Sequence, residues 1–281
     1  MNPDCTKTIC FIVPEINNSY YLDAIDSIQK YTTDKNYNLY IAPTNNSQDI
    51  EKTYSRSIIN LNIEGVIVAL SDKNANIAHL QELLDHRTPT IFLNKTDHAI
   101  NATQIIPDIF HGTYKAVNHL LYMGCKNIHI YTGDLSNPLY SEMVEGYQSA
   151  MSDSGIKFKE DQIISGSLSP DSINFNFNKL HDKSKLPDGI ISPNSATSMH
   201  ITSWLRNNAY EIPKDVLLVS FESDKYNLCV TQNLSTVEVS GSKTGKVAAE
   251  KLFKQIEDRK LIKETIIIPT KFIIKGSTMR L

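Results

Sequence analysis

A chain of 281 residues with 41% hydrophobic content is long enough for one large globular domain or two medium ones with substantial cores. The formal net charge is −3, acids and bases are interspersed, and no basic face or tail is visible, so the chain alone does not read as a DNA-gripping module. No apolar run approaches the ~20 residues of a membrane span, and the polar start MNPDCTKT runs straight into a strand, which argues against a signal peptide.

The elements alternate along the chain. Strands are predicted at Ile9 to Val13, Leu39 to Ala42, Gly65 to Leu70 and Thr90 to Leu93, with helices at Tyr20 to Thr32, Asp49 to Asn60 and Ile77 to Asp85 between them. A short strand at Gln104 to Ile106 precedes a helix whose apolar stripe is Ala116, Val117, Leu120 and Leu121. Gly124 supplies the left-handed stop that helix needs, and Ile128 to Tyr131 follows as a buried strand. The rhythm continues with a helix at Ser141 to Ser152 stopped by Gly155, a strand at Gln162 to Ser165 and a helix at Asp171 to His181. Strand Gly189 to Ser192, helix Ala196 to Asn207, strand Val216 to Phe221, strand Thr236 to Val239 and helix Lys243 to Glu257 come next. A final long strand from Thr265 to Ile274 is broken by Pro269.

This alternation predicts an α/β fold of doubly wound parallel sheets. There are too many strands for one such sheet and the pattern restarts near residue 104, so two similar lobes are expected. Ligands in open parallel sheets bind beyond the carboxyl ends of the strands, which points to segments such as Thr132 to Asn137.

The tract HGTYKAVNHLLYMGCKNIHIYTGD, His111 to Asp134, resembles the middle of the effector-binding domain of LacI-type transcription regulators, the lactose and galactose repressor family. KTICFIVPEINNSYY (Lys7 to Tyr21) is similar to the family's opening strand and its N-P-F-F-like loop. GVIVAL (Gly65 to Leu70) looks like its third strand, and TPTIFLNK (Thr88 to Lys95) resembles I-P-V-V-x-I-D-R. IPKDVLLVSFES (Ile212 to Ser223) resembles V-P-x-D-V-S-V-V-G-F-D-D, and IPTKFIIKGST (Ile268 to Thr278) resembles L-P-x-x-L-I-I-R-x-S-T. Each motif is weak alone; their order and spacing over some 270 residues carry the resemblance.

The resemblance implies the periplasmic binding protein type 1 fold. Two lobes would be joined by three hinge crossings near residues 103, 240 and 268, with a ligand cleft between them. The N-terminal lobe would be 1–103 plus 241–268, and the C-terminal lobe 104–240 plus 269–281. It also implies a homodimer, no cofactor, no catalysis, and contact with operator DNA only through a helix-turn-helix headpiece. That headpiece would precede Ile9, ahead of which this chain has eight residues, so it is expected to lie outside the chain, the alternative being a protein that never had one.

The pocket positions depart from the family pattern. Met143 stands where the family has an Arg three residues before a helical Gly, here Gly146. F-D-D becomes Phe221, Glu222 and Ser223; A-N-D becomes Pro193, Asn194 and Ser195; the Asp of I-D-R becomes Asn94; and the Gln after T-T-V-x becomes Val239. Loss of a guanidinium removes a rigid bidentate donor, which speaks against an acidic effector. The expected ligand-binding residues are Asn18, Tyr20, Tyr21, Asn94, Asp134, Met143, Leu168, Asn194 and Glu222, lining a pocket for a neutral sugar.

Each has a plainer alternative. Asn18 or Ser19 could simply cap a helix, with Tyr20 and Tyr21 packing beside it rather than offering a flat face to a sugar ring. Asn94, Asn194 and Glu222 each end a strand and could cap helices or lie in solvated loops rather than meet ligand hydroxyls. SGSKTGKV, Ser240 to Val247, has three residues between its glycines and Val after Lys246, so it reads as a capped helix start and not a phosphate loop. Cys5, Cys10, Cys125 and Cys229 read as free thiols of a cytoplasmic chain, and neither His79 with His86 nor Cys125 with His129 has metal-site spacing. No G-x-S-x-G elbow or paired acid nominates a nucleophile, and Trp204 reads as core or interface. A solute-binding protein of a transporter shares the fold and remains the alternative; a signal peptide in place of a headpiece upstream would favour it.

Overall fold

The computed structural model describes residues 7–16, 18–61, 63–70, 78–94, 101–182, 186–222 and 233–280, with the side chains of Pro138, Asp182 and Glu222 excepted. Cys5, Asn17, Ile77, Lys95, Ser223 and Cys229 lie outside the described residues.

The first half runs β1 (Lys7–Val13), α1 (Ser19–Asp34), β2 (Tyr37–Pro43), α2 (Gln48–Asn60), β3 (Gly65–Ala69), α3 (Ala78–Asp85), β4 (Thr90–Leu93) and β5 (Thr103–Pro107). Next come α4 (Ile109–Tyr122), β6 (Ile128–Thr132), α5 (Pro138–Asp153), β7 (Ile163–Ser165), α6 (Pro170–Asp182), β8 (Gly189–Ser192), α7 (Ser195–Asn207) and β9 (Leu217–Glu222). The tail adds β10 (Ser235–Glu238), α8 (Gly241–Asp258), β11 (Thr265–Ile268) and β12 (Lys271–Ile273). Two sheets result, ordered β11-β5-β4-β3-β1-β2 and β12-β10-β9-β8-β6-β7. The first is parallel throughout; in the second, β12 runs antiparallel to β10. Two compact units form around them, Met1–Pro107 with Ser240–Ile268, and Asp108–Val239 with Pro269–Leu281.

Within the first unit, strand alternation sends Ile9, Phe11 and Val13 to one face of the sheet and Cys10 and Ile12 to the other. Helices α1 and α8 cover the former face through Ala24, Ile28, Leu252 and Phe253. Helices α2 and α3 cover the latter through Ile58, Leu80 and Leu83. Both faces are therefore apolar, as a parallel sheet with crossover helices requires. Each fully buried Ile or Phe in these layers contributes about 1.5–3 kcal/mol. The second unit repeats the plan, with α4 and α5 on one face and α6 and α7 on the other. Trp204 belongs to that last layer, 5.0 Å from the Phe177 ring, with its indole N–H donated to Asn178.

One expectation changes. Strand β5 pairs with β4 and β11, so residues 104–107 belong to the first sheet and not to a second lobe beginning at 104. Its sequence, TQIIP, is too short to show which neighbours it will find. The stretch Thr265 to Ile274, expected to break at Pro269 with a crossing near residue 268, forms two strands in two different sheets. Pro269 lacks an N–H for the ladder, so the chain leaves the first sheet there and pairs again only from Lys271.

Candidate functional site

The carboxyl edge of the first sheet gathers four of the predicted residues. Asn18 caps α1, its Oδ1 accepting from the Tyr20 backbone N–H at 3.0 Å, which is the plainer of its two readings. The cap turns the first residues of α1 so that Tyr20 and Tyr21 point back over the sheet end. The Tyr20 hydroxyl donates to Asn94 Oδ1 at 2.7 Å, and Asn94 Nδ2 reaches the Tyr21 hydroxyl at 3.5 Å. The two rings meet edge to face, 5.4 Å apart. Tyr21 is buried in the core under α1 and Tyr20 only half-buried, so Tyr20 is the ring with a face to offer.

Asn94 follows β4 with φ of +58°, a left-handed conformation that Asn tolerates better than most side chains. That turn aims its amide back at the tyrosines. Burial pushes the Tyr20 phenol up to about 12, partly offset by hydrogen bonds with Thr244 and Asn94. Tyr20 is therefore an uncharged phenol at neutral pH. Helix α8 holds α1 in place from behind. Ser240 caps α8, accepting from the Lys243 N–H at 3.1 Å, as expected of SGSKTGKV. A Cβ on Gly241 would strike the Tyr20 carbonyl oxygen, and one on Gly245 the Ala24 carbonyl oxygen. The two glycines of that segment thus serve close helix packing.

In the second unit, the carboxyl edge carries Asp134, Leu168, Asn194 and Glu222, each in the segment after or at the end of a strand. Exposed Asp134 accepts from the Ser136 N–H at 2.9 Å, and the bonds from Ser136 hold its carboxyl below the usual range. Asn194 caps α7 through Thr197 N–H at 2.8 Å, and half-buried Leu168 lies in the loop between β7 and α6. Glu222 is the last residue of β9; its side chain lies outside the described residues. Asp134 and Asn194 thus each serve their own turn, and no hydrogen bond joins one to the other.

Met143 is not at this edge. It is fully buried in the second unit's core, on a stripe with Tyr147, Ala150 and Met151. Spacings of four, seven and eight residues put these on one helix face, and that face packs inward. Gly146 allows α4 close, since a Cβ there would strike the Phe110 carbonyl oxygen. An apolar side chain at 143 follows the core rather than the ligand.

Two further residues belong to this edge, the two ends of the segment Thr132 to Asn137 to which the strand-end rule points. Asn137, with 9% exposure, caps α5 by accepting from the Leu139 N–H at 2.9 Å; Asn directly before Pro138 is a readable start signal. Thr132, the last residue of β6, is buried with no hydrogen-bond partner for its hydroxyl. Its place at a strand end is the sequence signal that marks it.

Among the described residues, no group of three or more His, Cys, Asp or Glu is placed to hold a metal ion. His79 instead pairs with fully buried Glu51 at 2.6 Å, joining α3 to α2. Among the described residues, no helix is long and apolar enough to cross a membrane.

The comparisons match this fold. The "HTH-type transcriptional repressor PurR" of Vibrio parahaemolyticus is 23% identical over 278 residues, covering 98% of this chain and 82% of the repressor. The crystal structure of transcription regulator CcpA of Lactococcus lactis superposes with a TM-score of 0.86 at 18% identity, over 98% of this chain and 100% of that one. A LacI-family transcriptional regulator from Enterococcus faecium with bound ribose superposes at 0.82 with 22% identity, over 98% and 100% of the two chains. Residues 6–276 match the family described as periplasmic binding proteins and sugar binding domain of LacI family, and the chain belongs to that family, as a LacI-type effector-binding domain.

Proposed function

We propose that this chain is the ligand-sensing and dimerisation part of a LacI-type transcription regulator working in the cytoplasm, and that its effector is a neutral sugar. The observation that carries the ligand class is the Tyr20–Asn94–Tyr21 arrangement: an aromatic face, two phenol hydroxyls and an amide. Such groups exchange hydrogen bonds with hydroxyls and leave one apolar face for the less polar side of a sugar ring. Bound ribose in the Enterococcus faecium relative supports the same class.

The chain's role is binding, not catalysis. Residues of both lobes contribute, with Asp134, Asn194, Leu168 and Glu222 as the second lobe's candidates. Ligand would favour a closed arrangement, and closure would reach operator DNA through a headpiece outside this chain. Operator affinity changes only as far as the ligand discriminates between lobe arrangements. The test is a thermal-shift screen of neutral mono- and disaccharides, sugar phosphates and purines. A neutral sugar that raises the melting temperature, with the rise lost in Asn94→Ala, is the expected result. A response confined to phosphorylated or acidic ligands that also needs Asn94 would overturn the ligand class.

A further inference from the structure

The opposite, amino edge of the first sheet holds a cavity of about 680 Å³ where Lys7, Arg87, Arg259 and Lys260 converge around a single lining carboxylate, Glu64. These positions are scattered through the sequence, which is why no basic cluster is visible there. Lys7 opens β1, Arg87 follows α3, and Arg259 and Lys260 follow α8. Glu64 is already engaged, by Lys7 Nζ at 3.4 Å and by the Tyr37 hydroxyl donating at 2.6 Å. Among the described residues, Arg87, Arg259 and Lys260 have no carboxylate within salt-bridge distance. Pro89, Ile256 and Leu261 supply an apolar wall beside them.

The ends of two helices bring three of these cations together. Cations gain from the negative end of a helix dipole, and α3 and α8 both end here. Arg87 and Arg259 have φ of +56° and +50°, positions where Gly or Asn would cost less. Both residues close their helices, the Thr88 N–H reaching the Leu83 carbonyl and the Lys260 N–H the Gln255 carbonyl, so these left-handed stops set the two side chains at the groove. A volume of about 680 Å³ also falls within the range of small-molecule sites.

We propose that this groove is a second ligand site, separate from the effector edge, that takes a small molecule bearing a phosphate or diphosphate group. Two guanidiniums offer the planar, paired N–H donors that suit phosphate oxygens, and Lys260 adds a third positive charge. The apolar wall accepts the remainder of the molecule. With β1 spanning seven residues, the groove and the Tyr20–Asn94 site lie roughly 20 Å apart across the sheet.

Pyrophosphate titrated into the chain by calorimetry, with sodium chloride holding ionic strength constant, tests this directly. Saturable binding with Kd near or below about 1 mM is expected. It should weaken at least about fivefold in Arg87→Gln/Arg259→Gln and measurably in Lys260→Gln, and stay unchanged in Asn94→Ala. The same double variant should keep any sugar-induced melting shift, so this site and the effector reading fail separately. Binding that chloride reproduces at equal ionic strength, or that ignores all three cations, overturns the proposal. So does a duplex DNA oligonucleotide that binds through these cations while pyrophosphate does not, since the groove would then be a nucleic-acid surface.

Discussion

The Tyr20 hydroxyl and Asn94 Oδ1 are 2.7 Å apart across 74 residues of sequence, tying the first turn of α1 to the end of β4. This bond fixes two groups of the proposed pocket relative to each other before any ligand arrives, which lowers the ordering cost of binding. Tyr20→Phe keeps the ring and removes the hydroxyl. We expect about 0.5–1.5 kcal/mol lost stability in urea denaturation, together with a weaker sugar-induced melting shift. A variant that loses stability but keeps the full shift would show the pair to be structural only.

At Asn94 the backbone adds a second effect. With φ at +58°, Asn94→Ala loses the amide and must also hold alanine in a left-handed conformation, whereas Asn94→Gly loses the amide alone. Alanine should therefore be the less stable of the two by about 1 kcal/mol, while both abolish the ligand response. Equal denaturation midpoints would mean that the turn relaxes on substitution.

Gly245 positions the site from behind. A Cβ there would meet three backbone atoms of Ala24, with Cα at 2.7 Å and C at 2.9 Å. Backbone cannot swing aside as a side chain can, so Gly245→Ala should push α8 from α1 and cost about 1–3 kcal/mol. Because Tyr20 rides on α1, the sugar response should fall as well. A melting temperature unchanged in Gly245→Ala would refute the close packing described for these helices.

The alternation of elements was legible because both faces of each sheet are apolar and each turn carries its own signal: Gly124 at φ +90° and Gly155 at φ +70° stop α4 and α5. Pairing partners were not legible. The sequence TQIIP suits either sheet, and only its ladders to β4 and β11 decide. The candidate site divides likewise. Tyr20 and Asn94 follow from the strand-end rule, which is a property of topology. Met143, expected at the pocket from its family position, sits on the core stripe that helical spacing to Tyr147 and Ala150 also indicates. The basic groove was invisible because its four cations come from three separate segments.

Family members pair through their lobes, so this chain is expected to sediment as a homodimer at tens of micromolar, on the order of a usual weak-dimer range. Sedimentation velocity decides it. A monomer at those concentrations would remove the route by which one chain's ligand alters the spacing of two headpieces.

Acid and alkali should destabilise the second unit through different side chains. Burial, reinforced by the negative charges of Glu145 and Asp108, pushes the Glu142 carboxyl up from 4.5 to about 7. Between those values the folded chain keeps a proton that the unfolded chain has released, so stability falls as pH rises through that window. His129 works the other way. Burial lowers its imidazole from 6.5 to about 4, with Asp161 and Asp188 only partly opposing, so stability falls as pH drops below 6.5. Glu142→Gln carries no titrating group and should match the parent near pH 4. It should exceed the parent at pH 8 by on the order of 1–2 kcal/mol, allowing for solvent screening of a half-buried group. Urea midpoints measured from pH 4 to 8 give the comparison, and the acid-side loss should persist in the variant because His129 is untouched. Parallel profiles for parent and variant across the whole range would mean that Glu142 is solvated enough to titrate normally, and the burial account of this carboxyl would fail.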